Sequence, residues 1–82
     1  MHVTVVSPER AVFDGSADAV VAPAYDGQVG ILSHHAPFLT LLGTGVLRVQ
    51  QGSASSRFQV AGGFLQVVGD AVRVVADRVD AS

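Results

Sequence analysis

The chain has 82 residues, of which 49% are hydrophobic and 15% are charged, a balance typical of a folded domain and not of a disordered segment. Five arginines and seven acidic residues give a net charge of −2, and no basic cluster is present that could bind a nucleic-acid backbone. The absence of lysine and cysteine excludes a P-loop, a Schiff-base nucleophile, a lipoyl attachment site, disulfides and cysteine metal sites.

No apolar run approaches the ~20 residues of a transmembrane helix, and the first residues lack the basic start of a signal peptide. Polar, turn-forming residues are distributed evenly along the chain, which shows no linker and no internal repeat. We therefore expect one soluble, intracellular domain over residues 1–82, without direct membrane insertion.

Taken in chain order, short apolar segments alternate with turn residues. Alternation in the first strand places Val3 and Val5 on one face. The residue pairs Asp14-Gly15 and Gly62-Gly63 are predicted to interrupt strands. We predict strands at 1–6, 11–13, 17–24, 28–32, 38–42, 46–51, 57–61, 64–68 and 71–76. The tail 77–82 is predicted to leave its sheet. Turns every six to ten residues indicate an all-β sandwich or barrel.

The late strands suggest a core face. Phe58 and Val60 occupy alternating positions of one predicted strand, and Val72 and Val74 occupy alternating positions of another. We expect all four side chains to point inward.

Residues 26–37 combine two glycines, a proline and two adjacent histidines around a short apolar run. Gly27 and Gly30 permit unusual backbone angles, and Pro37 disfavours helix in the residues before it. The segment is predicted to be a turn, a short strand and a shaped loop. Because it carries almost no acid or base, its role is expected to be contact and not catalysis.

Catalytic and metal-binding patterns are weak elsewhere. His34 and His35 point to opposite sides of an extended chain, a poor geometry for one metal ion, although His2 could add a third imidazole. Glu9 is the single glutamate, so a pair of catalytic carboxylates lacks support, and no serine has the flanking signature of a nucleophile. The residues favour a binding role without a cofactor.

Seven segments in order make the chain similar to a known family. They are Val5-Val6-Ser7-Pro8-Glu9, Val12-Phe13-Asp14-Gly15, Asp26-Gly27-Gln28-Val29-Gly30-Ile31-Leu32, His35-Ala36-Pro37-Phe38-Leu39-Thr40, Gly45-Val46-Leu47, Phe58-Gln59-Val60-Ala61-Gly62-Gly63-Phe64 and Val74-Val75-Ala76-Asp77. Together they resemble the N-terminal domain of the epsilon subunit of F-type ATP synthases.

The resemblance implies a jelly-roll-like β-sandwich of about ten short strands in two sheets. It implies a non-catalytic rotor subunit of the central stalk that binds the gamma subunit and the c-ring and helps couple ion translocation to ATP synthesis. It also implies a peripheral position on the cytoplasmic face of the bacterial plasma membrane, within a hetero-oligomeric complex.

Residue by residue, Ser7, His35 and Thr40 match family positions near the gamma-facing end, and Gln28 matches an often acidic position near the c-ring loops. Ser33-His34 replaces the usual Pro-Gly. The family's C-terminal helical hairpin is not in this sequence, so nucleotide sensing is not implied for these residues.

Two rivals remain. A small jelly-roll that binds carbohydrate would present several aromatic side chains, yet there is no Trp and one Tyr. A metal-binding barrel of cupin type would need a His-x-His motif, which His34-His35 does not provide. The alternative reading is thus a small jelly-roll ligand- or metal-binding domain.

Overall fold

Every regular element in residues 1–34 and 36–81, the part of the chain that the computed structural model describes, is a β-strand. The eight strands are β1 (His2–Val6), β2 (Ala11–Ser16), β3 (Ala19–Ala24), β4 (Gly27–Leu32), β5 (Phe38–Leu41), β6 (Thr44–Gln51), β7 (Ala54–Val68) and β8 (Ala71–Ala81). Neighbouring strands pair antiparallel except β1 and β8, which run parallel.

The long strand β7 changes partner halfway along its length. Residues 54–61 pair with β6, residues 64–67 pair with β5, and β8 runs along the other edge of both halves. Between the halves Gly62 and Gly63 have φ of 70° and 107°, values that only glycine adopts readily. Hydrogen bonds join all eight strands in the order β2-β1-β8-β7-β6-β3-β4, with β5 also paired to β7. The bent β7–β8 hairpin divides this sheet into two layers, here called the first sheet (β2-β1-β8-β7-β5) and the second sheet (β8-β7-β6-β3-β4).

This architecture confirms the all-β sandwich class and refines the predicted elements. The structure has eight strands and not about ten, but β7 and β8 serve both sheets, so each sheet has five strand segments. Gly62-Gly63 is a bend within β7 and not a break, because β8 bridges it. The predicted departure of the tail is wrong for residues 77–81, since β8 stays paired with β7 as far as Ala81.

The Asp14-Gly15 pair is also not a turn, because β2 continues to Ser16 in register with β1. His2 lies diagonally across from Asp14 on the same face of this pair, and His2 Nε2 hydrogen-bonds with Asp14 Oδ1. The cross-strand partner β1 thus holds the Asp-Gly pair in an extended conformation.

The core lies between the two sheets and is filled by alternating apolar side chains. Val3 and Val5 are fully buried, as their alternation predicts. Val60, Val72 and Val74 are buried too, whereas Phe58 is only partly buried and packs edge-on against Phe13, with ring centroids 6.1 Å apart. The other fully buried core residues include Val20, Ala22, Ile31, Leu47, Val49 and Leu65.

We predict that Leu47→Ala lowers the free energy of unfolding by about 3 kcal/mol, through lost transfer energy and the cavity left behind. Leu47 is 0% exposed, whereas its neighbour Val46 is 41% exposed on the opposite face. Val46→Ala is the matched control and should cost less than about 1 kcal/mol. Urea titration of both variants is the measurement, and equal losses would contradict the assignment of faces.

A second prediction concerns the bend. A Cβ on Gly63 would overlap the carbonyl oxygen of Val75, and its φ is unfavourable for any other residue. Gly69 also has a positive φ, of 60°, but nothing lies within 4 Å of its added Cβ. Gly63→Ala should therefore cost at least about 3 kcal/mol or prevent folding, and Gly69→Ala only about 1 kcal/mol. Thermal melting that shows similar losses for the two variants would refute the tight bend.

Candidate partner-binding surface

An open groove of about 790 Å³ lies between the turn that joins β3 to β4, the strand β5 and the bend of β7. Side chains on its walls include Tyr25, Gln28, Leu39, Thr40, Leu41 and Phe64. Tyr25, Leu39 and Leu41 are 69%, 66% and 62% exposed, so the walls present apolar surface to solvent. Among the described lining residues, Asp26 is the one with an acidic side chain, and none is basic.

Backbone hydrogen bonds tie together the three segments that form the groove. The N–H of Tyr25 donates to the carbonyl of Leu41 at 3.1 Å, and the N–H of Leu42 donates to that of Gly63 at 3.0 Å. The N–H of Gly43 donates to the carbonyl of Pro23 at 2.8 Å. Because backbone groups make these bonds, the shape of the groove is fixed by the fold.

The groove continues as a row of apolar side chains across the outer face of the first sheet. Val6 pairs with Val75, Val75 with Phe64, and Phe64 with Leu41, and the inward neighbours of all four are core residues. We call these four residues the apolar row. With strands ~4.8 Å apart, the row spans about 14 Å.

The apolar row has a polar border on one side. Two residues along each of the same strands, the next outward side chains are those of Thr4, Arg73 and Gln66. Leu39 occupies the corresponding position in β5. Apolar residues concentrated on one line and bordered by polar ones are typical of a protein interaction site.

The structure places three of the four residues predicted to bind partners around this surface. Gln28 and Thr40 both line the groove, where Gln28 is exposed and the Thr40 hydroxyl donates to the carbonyl of Leu41 at 3.4 Å. Ser7 directly follows Val6, at the far end of the apolar row, so it does not line the groove. His35 lies outside the described residues.

Ser7 also stabilises its own turn. Its N–H donates to the carbonyl of Arg10 at 2.8 Å, and its hydroxyl oxygen lies 3.2 Å from both Glu9 Oε2 and the carbonyl oxygen of Arg10, either of which can accept its proton. Contact with a partner at this position would therefore involve a preformed turn.

The apolar members of the surface cannot be identified from the sequence alone. Residues 38–42 are apolar except for Thr40, so their composition does not show that Leu39 and Leu41 face solvent. Tyr25 falls between the predicted strands 17–24 and 28–32, and nothing in the sequence marks it as part of a surface. A usable signal was present in β7, where the adjacent residues Phe64 and Leu65 must point to opposite faces.

The other candidate sites do not converge. His34 is exposed with φ of 67°, beyond the end of β4, whereas His2 lies on β1 beside Asp14. No group of three or more His, Asp or Glu side chains that could hold a metal ion occurs in residues 1–34 and 36–81. Nor does this part of the chain contain a helix of the length and hydrophobicity needed to cross a bilayer.

Comparison with known proteins agrees with the two-sheet architecture. The family model described as "ATP synthase, Delta/Epsilon chain, beta-sandwich domain" matches residues 1–81. The chain belongs to this family, a class of β-sandwich domains found in ATP synthase subunits, which confirms the resemblance to epsilon subunits.

Curated relatives support the same assignment. The ATP synthase epsilon chain of Desulforamulus reducens is 46% identical over 76 residues, which cover 93% of this chain and 58% of the relative. The epsilon chain of Symbiobacterium thermophilum is 44% identical, with 98% and 58% covered. That of Caulobacter vibrioides is 38% identical, with 95% and 91% covered. The chain thus spans under two thirds of the length of the first two relatives.

Solved structures share the fold. A chain in the Euglena gracilis mitochondrial ATP synthase superposes with a TM-score of 0.89 over 96% of this chain and 51% of that chain, at 20% identity. A chain in the central stalk and c-ring structure of the Tetrahymena thermophila mitochondrial ATP synthase superposes with a TM-score of 0.81. The match covers 99% of this chain and 66% of that chain, also at 20% identity. At this identity the likeness supports the sandwich architecture alone.

We predict that Gln28→Ala and Thr40→Ala each change the free energy of unfolding by less than about 1 kcal/mol, because neither side chain is fully buried. Thermal melting of both variants beside the parent is the measurement. A drop of melting temperature comparable to that of Leu47→Ala would show that these residues serve the fold and not a partner.

Proposed function

We propose that this chain is a non-catalytic rotor subunit of an F-type ATP synthase that binds the gamma subunit through the apolar row and the adjoining groove. In this role, residues 1–82 act as one stiff domain of the central stalk and help couple ion translocation to ATP synthesis. The proposed location is peripheral, on the cytoplasmic face of the bacterial plasma membrane.

The observation that carries this proposal is the apolar row itself. Leu41 and Phe64 are 62% and 37% exposed on a rigid sheet whose opposite face is the core. Covering apolar side chains gains about 25 cal/mol per Å² of surface removed from water, so such a row favours a partner that matches its shape. Membership of a family of ATP synthase subunits makes another stalk subunit the reasonable candidate.

Ser7 follows Val6 and Thr40 precedes Leu41, so both are next to the ends of the apolar row in the chain, but Thr40 pairs with the buried Leu65 and lies on the opposite face of β5 from Leu41. We assign both residues to the edge of the same contact. Their hydroxyls can exchange hydrogen bonds with polar groups at the rim of an interface whose centre is apolar. His35 is proposed as a further gamma contact, from its position in the family pattern.

The c-ring contact is proposed for the turn between β3 and β4. Gln28 is exposed near this turn and offers an amide that can donate and accept hydrogen bonds. Asp26, two residues earlier, adds a carboxylate to the same end of the groove. A contact made chiefly by Gln28 would be less sensitive to salt than an ion pair.

The alternative, a small jelly-roll ligand- or metal-binding domain, receives less support. The groove is large enough for a small molecule, but such sites usually bury most of the ligand surface. Here three wall residues are more than 60% exposed, a shape better suited to a protein surface.

We predict that Leu41→Asp weakens binding to the gamma subunit by at least about 30-fold, because a carboxylate would be buried in the apolar contact, at a cost of about 2 kcal/mol. Val68→Asp is the matched control, since Val68 is 58% exposed on the outward side of β7, four residues beyond Phe64. Calorimetric titration with purified gamma subunit measures both affinities.

Both variants must melt within a few degrees of the parent for this comparison to hold. Equal affinity of the Leu41→Asp variant and the parent would overturn the proposed gamma contact. Equal weakening by both variants would place the contact elsewhere on this face.

A further inference from the structure

Two arginines lie directly opposite each other on the outer face of the second sheet. Arg48 in β6 pairs with Arg57 in β7. The neighbours of Arg48, Leu47 and Val49, are fully buried, so Arg48 points outward, and the cross-strand register places Arg57 on the same side. Both are exposed. This face is turned away from the apolar row.

The two guanidinium groups have no acidic partner in the described part of the chain. The ion pairs there join the Met1 ammonium to Asp70 and His2 to Asp14, and no arginine takes part. On this face, the carboxylate closest to the arginine pair in the strand register is that of Asp80. It lies opposite Gln59, which is two residues beyond Arg57 in β7. Like charges directly opposite in a sheet are destabilising, and this pair stands out in a chain with a net charge of −2.

The surroundings of the arginine pair resemble those of an interface. Val21 pairs with Arg48 on the neighbouring strand and is half-buried, and Val46 is 41% exposed two residues before Arg48. Arginine beside apolar surface is enriched at protein interfaces. With two charges on a flat sheet, the site suits a single acidic side chain better than the long phosphate backbone of a nucleic acid.

We propose that Arg48 and Arg57 together bind a carboxylate of a second protein segment, which docks on the outer face of the second sheet. Each guanidinium presents paired N–H donors that match the two oxygens of a carboxylate, and one acidic side chain between them removes their repulsion. This inference rests on the proposed function, since the acidic segment belongs to another subunit of the ATP synthase complex.

The lack of native lysine makes a direct test possible. Arg57→Lys and Arg48→Lys each introduce one lysine, and a carbodiimide joins a lysine amine only to a carboxylate in contact with it. The variants are assembled into the ATP synthase complex, treated with carbodiimide and digested, and the linked peptides are identified by mass spectrometry. The parent chain, which has no lysine, is the control for reaction at the Met1 amine. Arg78→Lys controls for position, because Arg78 is exposed on the same face, opposite Ala61.

The expected result is a link from both positions to one acidic segment of another subunit, at least tenfold more abundant than from the Arg78→Lys variant. Links only to Asp80 of the same chain, or none in a complex that contains the chain, would overturn the inference and leave the proposed function standing. A chain that does not assemble into the complex would overturn both.

A second measurement tests the repulsion. Arg57→Glu places opposite charges across from each other, so its melting temperature should rise by about 2–5 °C. Binding to the complex should weaken at least about tenfold, because the partner carboxylate would meet a like charge. An unchanged melting temperature would contradict a carboxylate site at this pair, and so would unchanged binding to the complex.

Discussion

The fold depends on the bend at Gly62-Gly63. Gly63 has no room for a Cβ, which would overlap the carbonyl oxygen of Val75, and the φ of 70° at Gly62 is one that residues with a side chain rarely adopt. The bend lets a single hairpin, β7 and β8, run through both sheets. The two layers are therefore joined by continuous hydrogen-bonded backbone, and not by side-chain packing alone.

The same bend shapes the binding surface. The carbonyl of Gly63 accepts the N–H of Leu42, and the N–H of Gly62 donates to the carbonyl of Gly43 at 3.3 Å, so the end of β5 is fixed to the bend. Phe64, the next residue, then projects beside Leu41 in the apolar row. A stiff surface of this kind can bind a partner without reordering of its backbone, which is consistent with the proposed role as a rotor subunit.

The sequence allowed the fold class and part of the core to be predicted, because Val60, Val72 and Val74 follow the two-residue period of a strand and are buried. It did not reveal that the two glycines bend a strand without ending it, since that depends on β8 running alongside. Ser7, Gln28 and Thr40 were assigned to partner contacts from the family pattern, and this assignment stays a prediction. The exposed apolar residues could not be assigned from the sequence, because solvent exposure is decided by tertiary packing.

Hydroxyl-radical footprinting of the chain, alone and in complex with the gamma subunit, tests whether the gamma subunit covers the apolar row. Leu39, Leu41 and Phe64 carry reactive side chains at the groove and the apolar row, and Leu32, which is 66% exposed at the end of β4, is the internal reference. We expect labelling of the first three residues to fall severalfold in the complex and labelling of Leu32 to stay unchanged. Equal labelling of Leu41 and Phe64 in the free and bound chain would contradict it.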